Sequence, residues 1–153
     1  MTRALKRGDI GGIMVTEINT KESLKAVEYF EAKLNFDSNP YALKAALDKG
    51  EKLQIIDLRT PELFAKEHIP GAVNVSLEEL ESYLPKLNPA ATTIVYCYSL
   101  LCSLATRAAL FLAQKGYIVK ELAGGFDSWA EQEMPTENTK TSSCATTGGH
   151  SCS

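Results

Sequence analysis

The feature that most constrains this chain is a repeated alternation of short apolar runs with segments of helical spacing. Leu53-Gln54-Ile55-Ile56-Asp57, Val73-Asn74-Val75, Thr93-Ile94-Val95-Tyr96-Cys97 and the run from Ile118 to Leu122 each have strand length and strand composition. The segments between them are helical. Ser76 and Glu79 are spaced as a cap and its partner before a helix through Tyr83, and Ser103 to Lys115 sets Leu104, Ala108, Phe111 and Leu112 on one face before Gly116. A short helix is expected from Phe126 to Gln132. Near-continuous apolar strands separated by helices predict an α/β domain: a parallel sheet flanked by helices on both faces.

Before this repeat, Leu24, Val27, Phe30 and Leu34 recur at helical spacing between Lys21 and Leu34, with Asn19 and Glu22 placed as a capping box. The stretch from Asn35 to Pro40 breaks that helix, and a second helix runs from about Tyr41 to Leu47, stopping before Gly50. Residues 1–18 have no clear period. From Pro135 onward Thr, Ser and Gly dominate, and so few apolar groups cannot repay the entropy of ordering. The expected organisation is an N-terminal extension with one helix (1–37), a main domain (38–134) and a flexible tail (135–153). The helix at 21–34 is either packed on the sheet or a contact between two copies, so a monomer or weak homodimer is expected.

The 153 residues suit a single core, and a net charge of −3 with no basic block argues against nucleic acid as the main ligand. The apolar run behind Arg3, Lys6 and Arg7 is only Ile13-Met14-Val15, too short for a secretory signal or a membrane span. A cytoplasmic protein with no membrane partner is expected. There disulfides are seldom structural, so the four cysteines call for a chemical reading.

Ligands of open parallel sheets bind beyond the carboxyl ends of the strands. Cys97 stands at such an end, with Tyr98-Ser99-Leu100-Leu101-Cys102 leading to a helix near Ser103. If that loop curls, its N–H groups and the helix N-terminus converge on the sulfur, favour an anion and lower the thiol pKa. The thiolate would then be a nucleophile, and a persulfide on it would be held by the same donors. The alternative is a small buried residue at a strand end, and spacing alone leaves both open.

Asp57-Leu58-Arg59-Thr60-Pro61-Glu62 followed by His68-Ile69-Pro70-Gly71-Ala72-Val73-Asn74 resembles the rhodanese signature. Val95-Tyr96-Cys97 is similar to that family's catalytic strand end. Gly116-Tyr117, Leu122 and Gly124-Gly125-Phe126-Asp127-Ser128-Trp129 resemble its closing motif. The resemblance covers roughly 38–134. It implies a five-stranded parallel sheet and sulfane-sulfur transfer through a persulfide on Cys97, with no cofactor and no metal. The implied partners are a small-molecule or protein persulfide donor and a thiol acceptor.

Phosphatases and arsenate reductases on this fold use a longer C-x5-R loop. Here Ser103 stands six positions after Cys97, with no Arg or Lys between, so a phosphate dianion lacks its counter-charge. A typical rhodanese loop carries Gly and Arg where this one has Leu100 and Cys102. The apolar loop (Tyr98, Ser99, Leu100, Leu101, Cys102, Ser103) should bind thiosulfate poorly and suit a less charged persulfide donor. Cys102 is either a resolving thiol for Cys97 or an apolar first-turn residue. Asp57 and Arg59 are expected to support the neighbouring loop, His68 to be a structural hydrogen-bonding group and Trp129 a core anchor. Cys144, His150 and Cys152 lack the paired spacing of a zinc site, though such thiols could receive sulfur. A non-catalytic module that binds a partner or senses oxidants through Cys97 and Cys102 is the second reading.

Overall fold

Five parallel strands in the order β1-β5-β4-β2-β3 form the sheet: β1 Asp37–Ser38, β2 Leu53–Asp57, β3 Ala72–Asn74, β4 Thr92–Tyr96 and β5 Val119–Leu122. The helices are α1 Lys21–Phe36, α2 Pro40–Asp48, α3 Pro61–Lys66, α4 Leu80–Tyr83, α5 Leu104–Gln114 and α6 Gly125–Glu131, with a 3-10 turn at Leu84–Lys86. These come from a computed structural model that describes residues 21–139. Helices α2 and α6 pack on one face of the sheet and α4 and α5 on the other, as the apolar pattern implied.

Two apolar clusters sandwich the sheet, because side chains alternate faces along a strand. Ile56, Val95 and Cys97 face one way, against Leu80 of α4 and Ala105, Ala108 and Leu112 of α5. Ile55, Ile94 and Tyr96 face the other, against Leu43 of α2 and Phe126 and Trp129 of α6. The same alternation therefore fixes which helix the Cys97 side chain meets. It is α5.

Local signals explain most boundaries. Asn39 caps α2 by accepting from the Ala42 N–H (2.8 Å), with Pro40 at the first helical position. The Ser76–Glu79 box forms: the Glu79 carboxylate accepts from the Ser76 N–H (3.2 Å) and the Ser76 hydroxyl accepts from the Glu79 N–H (3.3 Å). The helix proper then starts at Leu80 and tightens into the 3-10 turn around Pro85.

Two features depart from the sequence reading. The stretch expected only to break the first helix contains β1, whose Asp37 and Ser38 pair with Glu121 and Leu122 of β5. The first part of the expected flexible tail is held: the Trp129 Nε1–H donates to the Pro135 carbonyl (2.9 Å), and His68 and Glu137 pair as an antiparallel bridge. Thr136 donates to the Glu67 carboxylate (2.8 Å), and the Thr139 N–H donates to the Ala65 carbonyl (3.2 Å). A buried indole N–H needs an acceptor, and Pro135 supplies it. Asn19, residues 1–18 and the Cys144, His150 and Cys152 group lie outside the described residues.

The chain divides into two units between Leu34 and Asn35. In the first, α1 has its apolar residues at helical spacing and none of its residues is buried. Among the described residues no helix is long and apolar enough to cross a membrane.

Candidate active site

Parallel pairing brings the carboxyl ends of all five strands to one edge, where Asp57, Asn74 and Cys97 gather. Asp57 is fully buried and accepts four hydrogen bonds or more: from the Arg59 N–H (2.8 Å), from Arg59 Nε (3.1 Å) and Nη2 (2.7 Å), and from the Tyr96 hydroxyl (2.6 Å). The ion pair is desolvated, and its geometry is the forked one that makes such a pair tolerable in a core. Burial next to this carboxylate drives the Tyr96 hydroxyl pKa far up, so Tyr96 acts only as a donor and acceptor of hydrogen bonds. Asn74 ties the loop by donating to the Asp57 (3.0 Å) and Arg59 (2.8 Å) carbonyls.

Arg59 links this network to the cysteine loop. Its guanidinium carbon lies 3.8 Å from the centre of the Phe126 ring, and the Phe126 N–H donates to the Cys97 carbonyl (2.9 Å). The next amide, Asp127 N–H, donates to the Tyr98 carbonyl (2.9 Å). The first turn of α6 is thus bound to the main chain at Cys97 and Tyr98. Gly124 and Gly125 have φ of 78° and 63°, and a Cβ on Gly125 would meet the Cys97, Tyr98 and Ser99 main chain at 2.8–3.0 Å. Glycine is required there on both counts.

The loop itself closes as a turn, with the Cys102 N–H donating to the Ser99 carbonyl (3.1 Å) and the Leu101 N–H donating to the Ser99 hydroxyl (3.4 Å). Leu100 and Leu101 form its tip, 80% and 95% exposed. Among the described residues the only non-glycine with positive φ is Glu133, so Leu100 sits in the turn without left-handed strain. Ser103 stands at the cap position of α5 but makes no side-chain cap bond.

Cys97 lies just past β4 with its side chain under α5, only 1% exposed. Its thiol donates to the Cys102 carbonyl (3.4 Å), and the two thiols lie close enough to shift each other's pKa. The amides of Ala105 and Tyr98 favour its ionised form. From the sequence these amides are expected to depress the Cys97 pKa, and the shift runs the other way. Burial pushes it up to about 11, the contact with Cys102 adds to the rise, and the two amides offset only part of it. The two are not joined in a disulfide. Cys102 is partly exposed and moves the other way. Burial raises it, but the Cys97 thiol bond and the amides of Leu104 and Tyr98 outweigh that and hold it below the ordinary range.

The remaining residues singled out in the sequence are structural in place. His68 Nδ1 donates to the Phe64 carbonyl (2.7 Å), and its ring stacks on Phe64 at 3.8 Å. Trp129 is fully buried. Sequence reasoning passed over Tyr96 and Phe126. Both were visible as neighbours of named motifs, Tyr96 directly before Cys97 and Phe126 directly after Gly125.

The profile of the Rhodanese-like domain matches residues 39–132, from the start of α2 to the end of α6. The chain belongs to the rhodanese-like family. Its relatives include the thiosulfate sulfurtransferase GlpE of Coxiella burnetii, 30% identical over 95 residues, which are 61% of this chain and 87% of that protein. Another is the HTH-type transcriptional regulator Rv0324 of Mycobacterium tuberculosis, 30% identical over 90 residues; the match spans 59% of this chain and only 39% of the regulator. Among solved structures, the BH2092 protein of Bacillus halodurans superposes with a TM-score of 0.69 at 30% identity, covering 76% of this chain and 87% of that one. The rhodanese-like unit thus occurs both by itself and as part of a larger regulator.

Proposed function

We propose that this rhodanese-like chain is a sulfurtransferase that carries sulfane sulfur as a persulfide on Cys97. The observation behind this reading is the Cys97 sulfur just past the carboxyl end of β4, under α5 and beneath the Ser99–Cys102 turn, where the amides of Tyr98 and Ala105 favour its charged form. Those donors answer a negative charge on whatever sulfur Cys97 bears.

In the first half-reaction the Cys97 sulfur attacks the outer sulfur of a donor persulfide. The new Cys97–sulfur bond forms as the donor's sulfur–sulfur bond breaks. The Cys97 proton passes to the neighbouring Cys102 sulfur, whose pKa is held below the ordinary range, and from there to the departing donor thiolate. In the second half-reaction a nucleophilic acceptor, typically a thiol, removes the sulfane atom, which completes a ping-pong cycle. No cofactor enters either step. The protein acts in the cytoplasm, where a reducing environment keeps both thiols free.

The donor is a weakly charged persulfide, small or protein-borne, and thiosulfate is a poor one. The loop tip offers Leu100 and Leu101, and Arg59 is held by Asp57 under Phe126. A dianion finds amides at this site but no loop cation.

Intact-protein mass spectrometry after exposure to a persulfide donor tests the reading. One added sulfur is expected on the wild type and none at this site after Cys97→Ser. Equal addition to the variant, or no addition to either, ends it. Rapid turnover with thiosulfate would overturn the donor preference alone.

One observation favours a second reading. Two neighbouring thiols of opposite pKa displacement, not joined in a disulfide, form a pair suited to oxidation, so a non-catalytic redox-sensing module built on Cys97 and Cys102 is the alternative. Ready disulfide formation with peroxide, without sulfur uptake from persulfide, would favour it.

A further inference from the structure

Cys97 is within reach of a small donor but poorly placed to meet the thiol of a protein acceptor. At 1% exposure it sits beneath the Ser99–Cys102 turn, and an acceptor must approach the sulfane atom along the line of the sulfur–sulfur bond it breaks. Cys102 already stands beside that atom's position. The Cys97 sulfur lies 3.4 Å from the Cys102 carbonyl oxygen, and each thiol shifts the pKa of the other. Two sulfur–sulfur bonds end to end span about 4.1 Å, so a sulfane atom projecting from Cys97 toward Cys102 spans most of the gap between the two side chains.

We propose that Cys102 is a second sulfur carrier, which takes the sulfane atom from the Cys97 persulfide and presents it to the acceptor at the rim of the loop. This rests on the persulfide reading of Cys97 and adds a step to it. The Cys102 thiolate attacks the outer sulfur, a bond from Cys102 Sγ to that atom forms, and the bond from Cys97 Sγ breaks. The proton of the Cys97 persulfide ends on the Cys97 sulfur, and the negative charge ends on the sulfane atom now bound to Cys102. No electrons enter or leave.

Three features of the site favour the outward direction. The Tyr98 amide favours the charged form of both sulfurs, while Ala105 serves Cys97 and Leu104 serves Cys102, so charge moves between two cradles that share a donor. Burial makes the Cys97 sulfur the stronger proton acceptor of the two, so the transfer ends with Cys97 as the neutral thiol and the negative charge on the more exposed carrier. Cys102 is the more exposed of the pair and lies next to Leu100 and Leu101, whose apolar side chains stand free at the tip to meet an acceptor's surface.

The test uses the full chain without oxygen. Wild type, Cys97→Ser and Cys102→Ser are loaded to saturation with a low-molecular-weight alkyl persulfide, freed of donor and quenched with a persulfide-trapping alkylator at successive times after a protein thiol is added. Fragment ions between Cys97 and Cys102 locate the sulfur. The expected result is sulfur on both cysteines of the wild type and much less on Cys102 in Cys97→Ser, where it can come only directly from the donor. Cys102→Ser should load Cys97 fully but discharge to the protein thiol roughly tenfold more slowly or worse. Sulfur confined to Cys97 with an unchanged discharge rate overturns the relay. So does equal loading of Cys102 in Cys97→Ser, and so does a Cys97–Cys102 disulfide with release of sulfide. Absence of sulfur from Cys97 in every protein sinks the persulfide reading itself and the relay with it, whereas a loaded Cys97 beside a silent Cys102 sinks the relay alone.

Discussion

Gly125 lies so close to Cys97 that a Cβ on it would stand 2.8 Å from the Cys97 carbonyl oxygen. The obstructing atoms are main chain and cannot swing aside, and the φ of 63° penalises any side chain independently. Gly125→Ala should therefore cost about 2–4 kcal/mol and weaken sulfur loading of Cys97 in the molecules that fold, because α6 must withdraw from the loop. Gly116→Ala is the control. Its φ is 88° but nothing lies within 4 Å, so only the backbone cost of about 1 kcal/mol applies. Urea denaturation of both variants gives the comparison, and equal losses would remove the close-approach argument.

The Asp57 carboxylate holds a buried guanidinium and a buried phenol together, and the two contacts should separate by mutation. Asp57→Ala leaves the Arg59 charge buried without its counter-ion, a change of about 3–5 kcal/mol. Tyr96→Phe removes a single hydrogen bond to a charged acceptor, about 1.5–3 kcal/mol, and keeps the ring in the α6-side core. Chemical denaturation should rank them in that order. A Tyr96→Phe loss as large as that of Asp57→Ala would mean that the hydroxyl, not the ion pair, organises the strand ends.

Much of this architecture was legible because strands covered on both faces leave an uninterrupted apolar signature, as Ile55-Ile56 and Ile94-Val95 do. Strand β1 left none. Asp37 and Ser38 are polar, and their place in the sheet rests on main-chain pairing with β5, which no side-chain pattern encodes. The position of Cys97 followed from its strand, but its acidity did not. The sequence counts the amides that lower a thiol pKa, and it does not reveal how deeply α5 buries the sulfur. Burial outweighs those amides in the folded chain. The contact of Cys97 with Cys102 likewise depends on a turn through Leu100, where the family resemblance pointed to glycine.

Residues 135–139 carry little apolar surface, yet their hydrogen bonds should make them part of the stable unit. A chain ending at Thr139 retains the Pro135 acceptor for Trp129, the Glu67 contact of Thr136 and the His68–Glu137 bridge. A chain ending at Met134 loses all three and leaves a buried indole N–H without its partner. The shorter chain should be less stable by about 2–4 kcal/mol, from one unsatisfied buried donor plus the lost bridge. Thermal or urea melts of the two truncations measure the difference, and matching midpoints would show that Trp129 finds another acceptor.

The opposite displacement of the two thiols predicts a pH profile that distinguishes them. Alkylation requires the thiolate, and a Cys97 pKa pushed up to about 11 leaves roughly one molecule in ten thousand ionised there at pH 7, against a few per cent for an ordinary cysteine. Iodoacetamide labelling of Cys97 should accordingly rise about tenfold per pH unit through the range from 7 to 10 and level near 11. Cys102 should label first at neutral pH, with its plateau at lower pH than that of an unperturbed thiol. The sign carries over to stability. The Cys97 proton is held more tightly in the folded chain than in the unfolded one, so its contribution is complete below the unfolded pKa of about 8.5 and is lost as pH rises to about 11. Mass-resolved labelling across this range decides the matter. A Cys97 plateau below about 8.5 would mean that the amides of Ala105 and Tyr98 overcome burial after all, and Cys97 would then need no proton acceptor at Cys102 to attack a donor.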